Sequence, residues 1–169
     1  KPIASIEARP RIDEPAADVA QAIEEADLIV FGPGSLFTSI IPPLLIEGIR
    51  RRVFESPAHK VYIANIMTQP GETDDMGLVD HLDALERHAG DPIIDQVLAH
   101  DGSIPDDLLA SYSRQGSIPV VYEGGLEHRE IRVSVADLID RGATSARHHS
   151  EILGQMICDL ALAGVGKTV

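Results

Sequence analysis

An α/β domain built on a mostly parallel sheet is the fold the sequence predicts, and three observations predict it. Two short runs, Asp27–Phe31 and Val61–Ile66, are apolar at almost every position, which suits strands covered on both faces. Segments with apolar residues at helical spacing lie around and between them, so strands and helices alternate along the chain. Both runs lead into polar loops rich in turn formers, and ligands of open parallel sheets sit beyond the carboxyl ends of the strands.

Taken in order, Ile3 to Arg9 reads as part of a strand. From Pro15 to Ala26, the residues Ala16, Val19, Ala20, Ile23 and Ala26 share one helical face. Asp13 and Glu14 precede it, where acids complement the helix dipole. Asp27–Phe31 is the central strand and ends in Gly32-Pro33-Gly34. A short helix starting at Ser35 is interrupted by Pro42-Pro43, because an interior proline removes a ladder hydrogen bond. Leu45, Ile49 and Val53 then resume a helical stripe. The Arg50-Arg51-Arg52 run beside it reads as a solvated face, with a phosphate contact from one arginine as the lesser alternative.

Ser56-Pro57 closes this helix before the strand Val61–Ile66, and Met67–Asp75 is a polar loop. Leu78, Leu82, Leu85 and Ala89 mark the next helix, and Ile93–Ala99 a third strand. Pro105 opens a helix carrying Leu108, Leu109 and Tyr112 that ends before Gly116. Pro119–Tyr122 and Ile131–Val133 are two further short strands. A last helix spans Glu151 to Ala163, with Ile152, Met156 and Leu160 on one face and Cys158 read as core. Without repeats or low-complexity tracts, residues 1–169 read as one α/β domain.

At 169 residues the chain can bury a real core. Its 44% hydrophobic and 24% charged fractions are ordinary for a globular protein. Only 4% of residues are aromatic and none is tryptophan, so platforms for stacking single-stranded bases are scarce. A net charge of −13 opposes nucleic acid and anionic membrane as partners, although a local pocket rich in N–H groups can still take a phosphorylated metabolite. A single cysteine excludes an internal disulfide and a cysteine-built zinc site. The sequence has no membrane-length apolar stretch and no signal-peptide pattern, so the cytosol is the expected compartment.

The chemistry concentrates after the two apolar runs. A strand that passes through a glycine turn into a helix start leaves backbone N–H groups converging on one spot, which attracts an anion. Gly32 and Gly34 allow close approach, and Ser35, Thr38 and Ser39 add hydroxyls. The alternative is a tight turn with Ser35 as its N-cap, and the spacing alone does not separate the two.

The two strings Ala26-Asp-Leu-Ile-Val-Phe-Gly-Pro-Gly-Ser-Leu-Phe-Thr-Ser-Ile40 and Val61-Tyr-Ile-Ala-Asn-Ile-Met-Thr-Gln-Pro-Gly-Glu-Thr73 resemble the gluconeogenesis-factor family (YvcK-like, within the CofD-like superfamily). Asp80-His81, Tyr112 with Gly116, and Arg147-His148 extend the resemblance over nearly the whole chain. It implies a Rossmann-like sheet flanked by helices, part of a larger CofD-like fold in the bacterial cytoplasm. It also implies binding of UDP-sugars, notably UDP-N-acetylglucosamine, and a link to cell shape, cell-wall synthesis and growth on gluconeogenic carbon sources.

The sister branch, 2-phospho-L-lactate transferase, works with a metal ion. It differs in having an Ala-Pro-Ser-Asn-Pro-type turn at Gly32–Ser35 and no counterpart of Thr68–Thr73. Members of the family begin with a further half carrying a Gly-Gly-Gly-Thr-Gly-type loop, so this chain is expected to be the C-terminal portion of a longer protein. Where the family has aspartate after Arg-His, this chain has His149.

The resemblance makes Gly32, Gly34, Ser35, Thr38 and Ser39 contacts for a diphosphate or sugar hydroxyls. Asn65, Thr68, Gln69, Glu72 and Thr73 either bond sugar hydroxyls or satisfy their own turn. Tyr112 either stacks on a uracil ring or is core with its hydroxyl satisfied. Arg147 either clamps a diphosphate with its planar donor fork or pairs with Glu151. His81 reads as structural before it reads as a general base. Glu72, Asp74 and Asp75 read as an acidic turn before they read as a magnesium site. No catalytic residue is assigned. The expectation is a UDP-sugar-binding regulator acting through a homo-oligomer or a regulatory partner, without a firmly implied cofactor. The alternative is a phosphotransferase that uses magnesium, and a third, weaker possibility is an oligomerisation half with an open sheet edge.

Overall fold

The computed structural model describes residues 1–126 and 128–165. Four strands, β1 (Leu28–Phe31), β2 (His59–Ile63), β3 (Gln96–His100) and β4 (Arg132–Ala136), form one sheet in the order β1-β2-β3-β4. Every neighbouring pair is parallel, so all four carboxyl ends open on one edge. The helices are α1 (Ala17–Glu24), α2 (Glu47–Glu55), α3 (Leu78–Ala89), α4 (Asp106–Ser113) and α5 (Ser150–Val165). A π-helical turn, Leu36–Ile40, and a 3-10 turn, Pro42–Leu45, carry the chain from β1 to α2.

Alternation along each strand sorts the core into layers. Phe31, Tyr62, Val97 and Ala99 face the cluster built by Leu36, Ile41 and Val53 with Leu82 and Leu85 of α3. Val61, Ile63 and Leu98 face the other way, under Leu153, Met156, Ile157 and Leu160 of α5. A smaller cluster of Ile66, Met67, Leu108 and Ile139 sits at the carboxyl end of the sheet, beneath α4. Leu82 and Leu85 are wholly buried, and each side chain contributes about 2 kcal/mol by leaving water. At the start of α3 the Asp80 carboxylate accepts the Gly77 N–H at 2.8 Å, and Gly90 ends the helix in a left-handed conformation at φ +86°.

Several expectations are corrected. Residues 3–9 form no strand. Instead Ile3 and Ile6 pack against the main core while the Ile3 N–H donates to Glu72 O and the Ile6 N–H to His88 Nε2. Residues 119–122 contribute only a bridge between Pro119 and Met67, because their hydrogen bonds go to the loop after β2 and not to a ladder. β2 begins two residues before and β3 three residues after the positions expected, at His59 and Gln96, since pairing with neighbours and not apolarity sets their ends. Cys158 is exposed, because α5 turns Ile157 and Leu160 to the sheet. In the arginine run, Arg52 is half-buried and ties α2 to α1 through Glu24 and to the segment before α1 through Glu14, each at 3.0 Å. Among the described residues no helix is long and apolar enough to cross a membrane.

Candidate functional site

The edge formed by the strand carboxyl ends carries the candidate site. β1 ends at Gly32, whose φ of +95° favours glycine. A Cβ there would stand 3.1 Å from Ile63 O and 3.2 Å from Ile40 Cδ1. A Cβ on Gly34 would lie 3.3 Å from the Ser39 Cβ. This close packing lays the loop against the end of β2. The hydroxyl-bearing residues Thr38 and Ser39 are exposed on the π-helical turn, and neither side chain makes a hydrogen bond among the described residues. Ser35 occupies the N-cap position of the π-helical turn, but its side chain makes no capping bond. Its Oγ donates to Glu72 Oε2 at 2.5 Å and so joins the loop after β1 to the loop after β2.

The second loop is largely self-satisfied. Thr73 is buried and its Oγ1 accepts the Gln69 N–H at 2.8 Å, while both oxygens of Asp74 accept the Gly71 N–H. That backbone donor holds the Asp74 carboxyl below the usual carboxylate range. Gln69 Oε1 is buried without a hydrogen-bond partner among the described residues. Asn65 is half-buried and its side chain makes no hydrogen bond among them. Glu72, Asp74 and Asp75 do not bring three metal-ligating atoms together.

Thr68 leads to the other part of the site. Its Oγ1 accepts the Ile118 N–H at 2.9 Å and donates to Ser117 Oγ at 3.5 Å, and Ser117 Oγ donates to Thr68 O. The Ser117 N–H in turn bonds Tyr112 O at the end of α4. Tyr112 packs its ring against the small cluster at the carboxyl edge, and its hydroxyl accepts the Ala146 N–H at 3.1 Å. This bond positions the segment carrying Arg147, an exposed side chain whose Nε donates to Ser145 Oγ and which makes no pair with Glu151. His148 Nε2 donates to Ala64 O at 3.1 Å and anchors the same segment to the end of β2, next to Asn65. The structure therefore brings Tyr112 and Arg147 together, and separately joins Ser35 to Glu72. Both groups lie on one edge.

Three histidines stand out by burial; the sequence singles out His81 and His148, and not the cluster around His100. His148 is half-buried, and desolvation, helped by nearby His100, pushes its imidazole below the ordinary value against the bond to Ala64 O. His81 is wholly buried: Nδ1 donates to Gly77 O at 2.8 Å, Nε2 has no partner, and burial lowers this imidazole as well. His100, Asp101 and Asp137 converge at the ends of β3 and β4 with ligand atoms within 4.8 Å of one another. No signal in the sequence links residues 101 and 137, because only the β3–β4 pairing brings them side by side.

The His100 cluster fits a divalent cation poorly. The Leu138 N–H donates to His100 Nδ1 at 3.0 Å, so the ring proton sits on Nε2 and that nitrogen has no lone pair to offer. Binding through Nδ1 would leave the buried Leu138 N–H unsatisfied. Metal-ligating histidines use their second nitrogen in the opposite sense, as a donor.

Comparison with known proteins places these features in a family. The family model described as 2-phospho-L-lactate transferase CofD matches residues 1–139. The chain is 41% identical over 131 residues to a gluconeogenesis factor of Halalkalibacterium halodurans, covering 78% of this chain and 40% of that protein. It is 37% identical over 148 residues to the gluconeogenesis factor of Bacillus subtilis, covering 87% of this chain and 47% of the relative. A crystal structure of a Bacillus halodurans protein superposes with a TM-score of 0.88 at 36% identity, covering 94% of this chain and 51% of that one. The chain thus spans about half the length of these proteins. With a family model matching most of its residues and relatives near 40% identity, the chain belongs to the gluconeogenesis-factor family of the CofD-like superfamily.

Proposed function

We infer that the chain binds a UDP-sugar, UDP-N-acetylglucosamine foremost, as a regulator of cell shape, cell-wall synthesis and gluconeogenic carbon use. The observation that carries this reading is the joining of two polar loops, by Ser35 and Glu72, at the carboxyl ends of the adjacent parallel strands β1 and β2. Such an edge is where phosphorylated ligands sit in α/β sheets. The strand order runs through this sheet without reversal, and β1 is its outer strand. The loop after β1 therefore stands at one end of this carboxyl edge, with the loops after β2, β3 and β4 beside it in turn. The diphosphate lies against Gly32–Ser39, and Tyr112 and Arg147 serve the nucleotide from the other side.

A phosphotransferase reading is favoured by the description of the matching family model. Against it stands the carboxylate arrangement: among the described residues neither acidic group offers a divalent ion three free ligands. Calorimetric titration of UDP-N-acetylglucosamine, followed by mass spectrometry of the recovered ligand, separates the two. Saturable binding with intact ligand, weakened tenfold or more by Arg147→Ala, is expected of a regulator. Divalent-dependent turnover of the nucleotide would replace that reading with the transferase. The Arg147 side chain is exposed and among the described residues bonds only Ser145, so its loss should leave stability within about 0.5 kcal/mol.

A further inference from the structure

At the carboxyl ends of β3 and β4, two carboxylates are held in place by neighbours and each keeps one oxygen free. Asp101 Oδ1 accepts from the Ser103 N–H at 2.9 Å and from Ser103 Oγ at 2.8 Å. Asp137 Oδ2 accepts from Arg141 Nε at 3.0 Å and from a terminal Arg141 nitrogen at 2.8 Å. That same terminal nitrogen donates to Ser103 Oγ at 2.8 Å, so Arg141 and Ser103 bridge the two acids. Asp101 Oδ2 and Asp137 Oδ1 take no hydrogen bond among the described residues, and the side chains are 38% and 44% exposed.

His100 lies between them with 1% of its side chain exposed, and its Nε2 lies 3.5 Å from Asp101 Oδ1, outside hydrogen-bonding geometry. A buried donor left without a partner calls for an acceptor that the protein does not provide.

The set is chemically selective. Two carboxylates repel a phosphate, the tautomer of His100 disfavours a metal, and Arg141 already supplies the local positive charge. A hydroxyl both donates and accepts, so it can give its proton to a free carboxylate oxygen and offer a lone pair to the buried N–H. The ends of β3 and β4 lie about 10 and 14 Å from that of β1 at ordinary strand spacing, which is within the length of a nucleotide sugar.

We propose that Asp101 and Asp137 are the hydroxyl-recognising end of this carboxyl edge and take a vicinal diol of a nucleotide sugar whose phosphates lie toward β1. The assignment rests on the nucleotide-sugar reading above. The diol comes from the sugar or from the ribose, and three probes distinguish these sources.

UDP-N-acetylglucosamine, UDP and 2′-deoxy-UDP are titrated into the protein and into its Asp101→Asn and Asp137→Asn variants, after thermal melts confirm that both fold. Each variant should weaken a diol-bearing probe about tenfold or more, the loss expected of one hydrogen bond to a charged acceptor. A loss confined to UDP-N-acetylglucosamine assigns the sugar hydroxyls. A loss shared with UDP but absent from 2′-deoxy-UDP assigns the ribose. Equal changes for all three probes, or no change for any, overturn the subsite while leaving diphosphate binding intact. Manganese binding to the wild type that either variant abolishes overturns it in favour of a cation. Failure of every probe to bind removes the nucleotide-sugar reading and this subsite with it.

Discussion

Replacing Gly32 with alanine tests how tightly the first loop is moulded to the sheet. The new Cβ meets the carbonyl oxygen of Ile63 at 3.1 Å and Ile40 Cδ1 at 3.2 Å, at a φ of +95°. A non-glycine residue in left-handed backbone costs about 1–2 kcal/mol. Ile63 O belongs to β2, whose neighbours on both sides are hydrogen-bonded to it, so it cannot yield as a side chain does. Overpacking of this kind adds about 1–3 kcal/mol. The expected loss is therefore about 2–5 kcal/mol, and about 2–4 °C of melting temperature follows each kcal/mol in a chain of this size.

Gly71→Ala is the control, since its φ is +84° but a Cβ there meets nothing within 4 Å. Urea unfolding followed by circular dichroism should show a lower midpoint for Gly32→Ala than for Gly71→Ala, with an unchanged slope. Equal midpoints, or a milder effect at Gly32, would refute the packing argument.

Thr68→Val keeps the shape of a buried side chain but removes the acceptor of the part-buried Ile118 N–H, and should cost about 1–3 kcal/mol. A midpoint within error of wild type would show that this hydroxyl is not structural. The lowered imidazoles of His81 and His148 give stability a pH dependence. Between their usual value of 6.5 and the lowered one, the unfolded chain binds more protons. This contribution is present above 6.5 and is lost as pH falls from there through the folded values. Melting temperatures should hold level in mildly alkaline buffer and decline on acidification below 6.5; a level profile down to about pH 5 would contradict the assignment.

The sequence by itself determined the layered α/β class, the order of the main helices and the four sheet strands. It also located the glycine turn and the polar loop, which the structure joins at the carboxyl edge of the sheet through Ser35 and Glu72. These follow from local patterns: buried strands are apolar throughout, helices repeat their apolar face, and glycine marks a turn with positive φ. What local pattern carries less firmly went astray. Ile3 and Ile6 resemble strand residues but are anchors for an irregular segment, and Cys158 lies in an apolar helix whose buried face only packing selects.

The tertiary structure alone decided which polar groups are already used. Thr68 meets Ser117 and Ile118 about fifty positions away, and Ser35 meets Glu72 thirty-seven positions on. Tyr112 spends its hydroxyl on the backbone beside Arg147, and Asp101 reaches Asp137 only because β3 and β4 run in parallel register. Hydrogen bonds are satisfied between neighbours in space, and strand order and register, which no periodicity in the chain encodes, decide who those neighbours are.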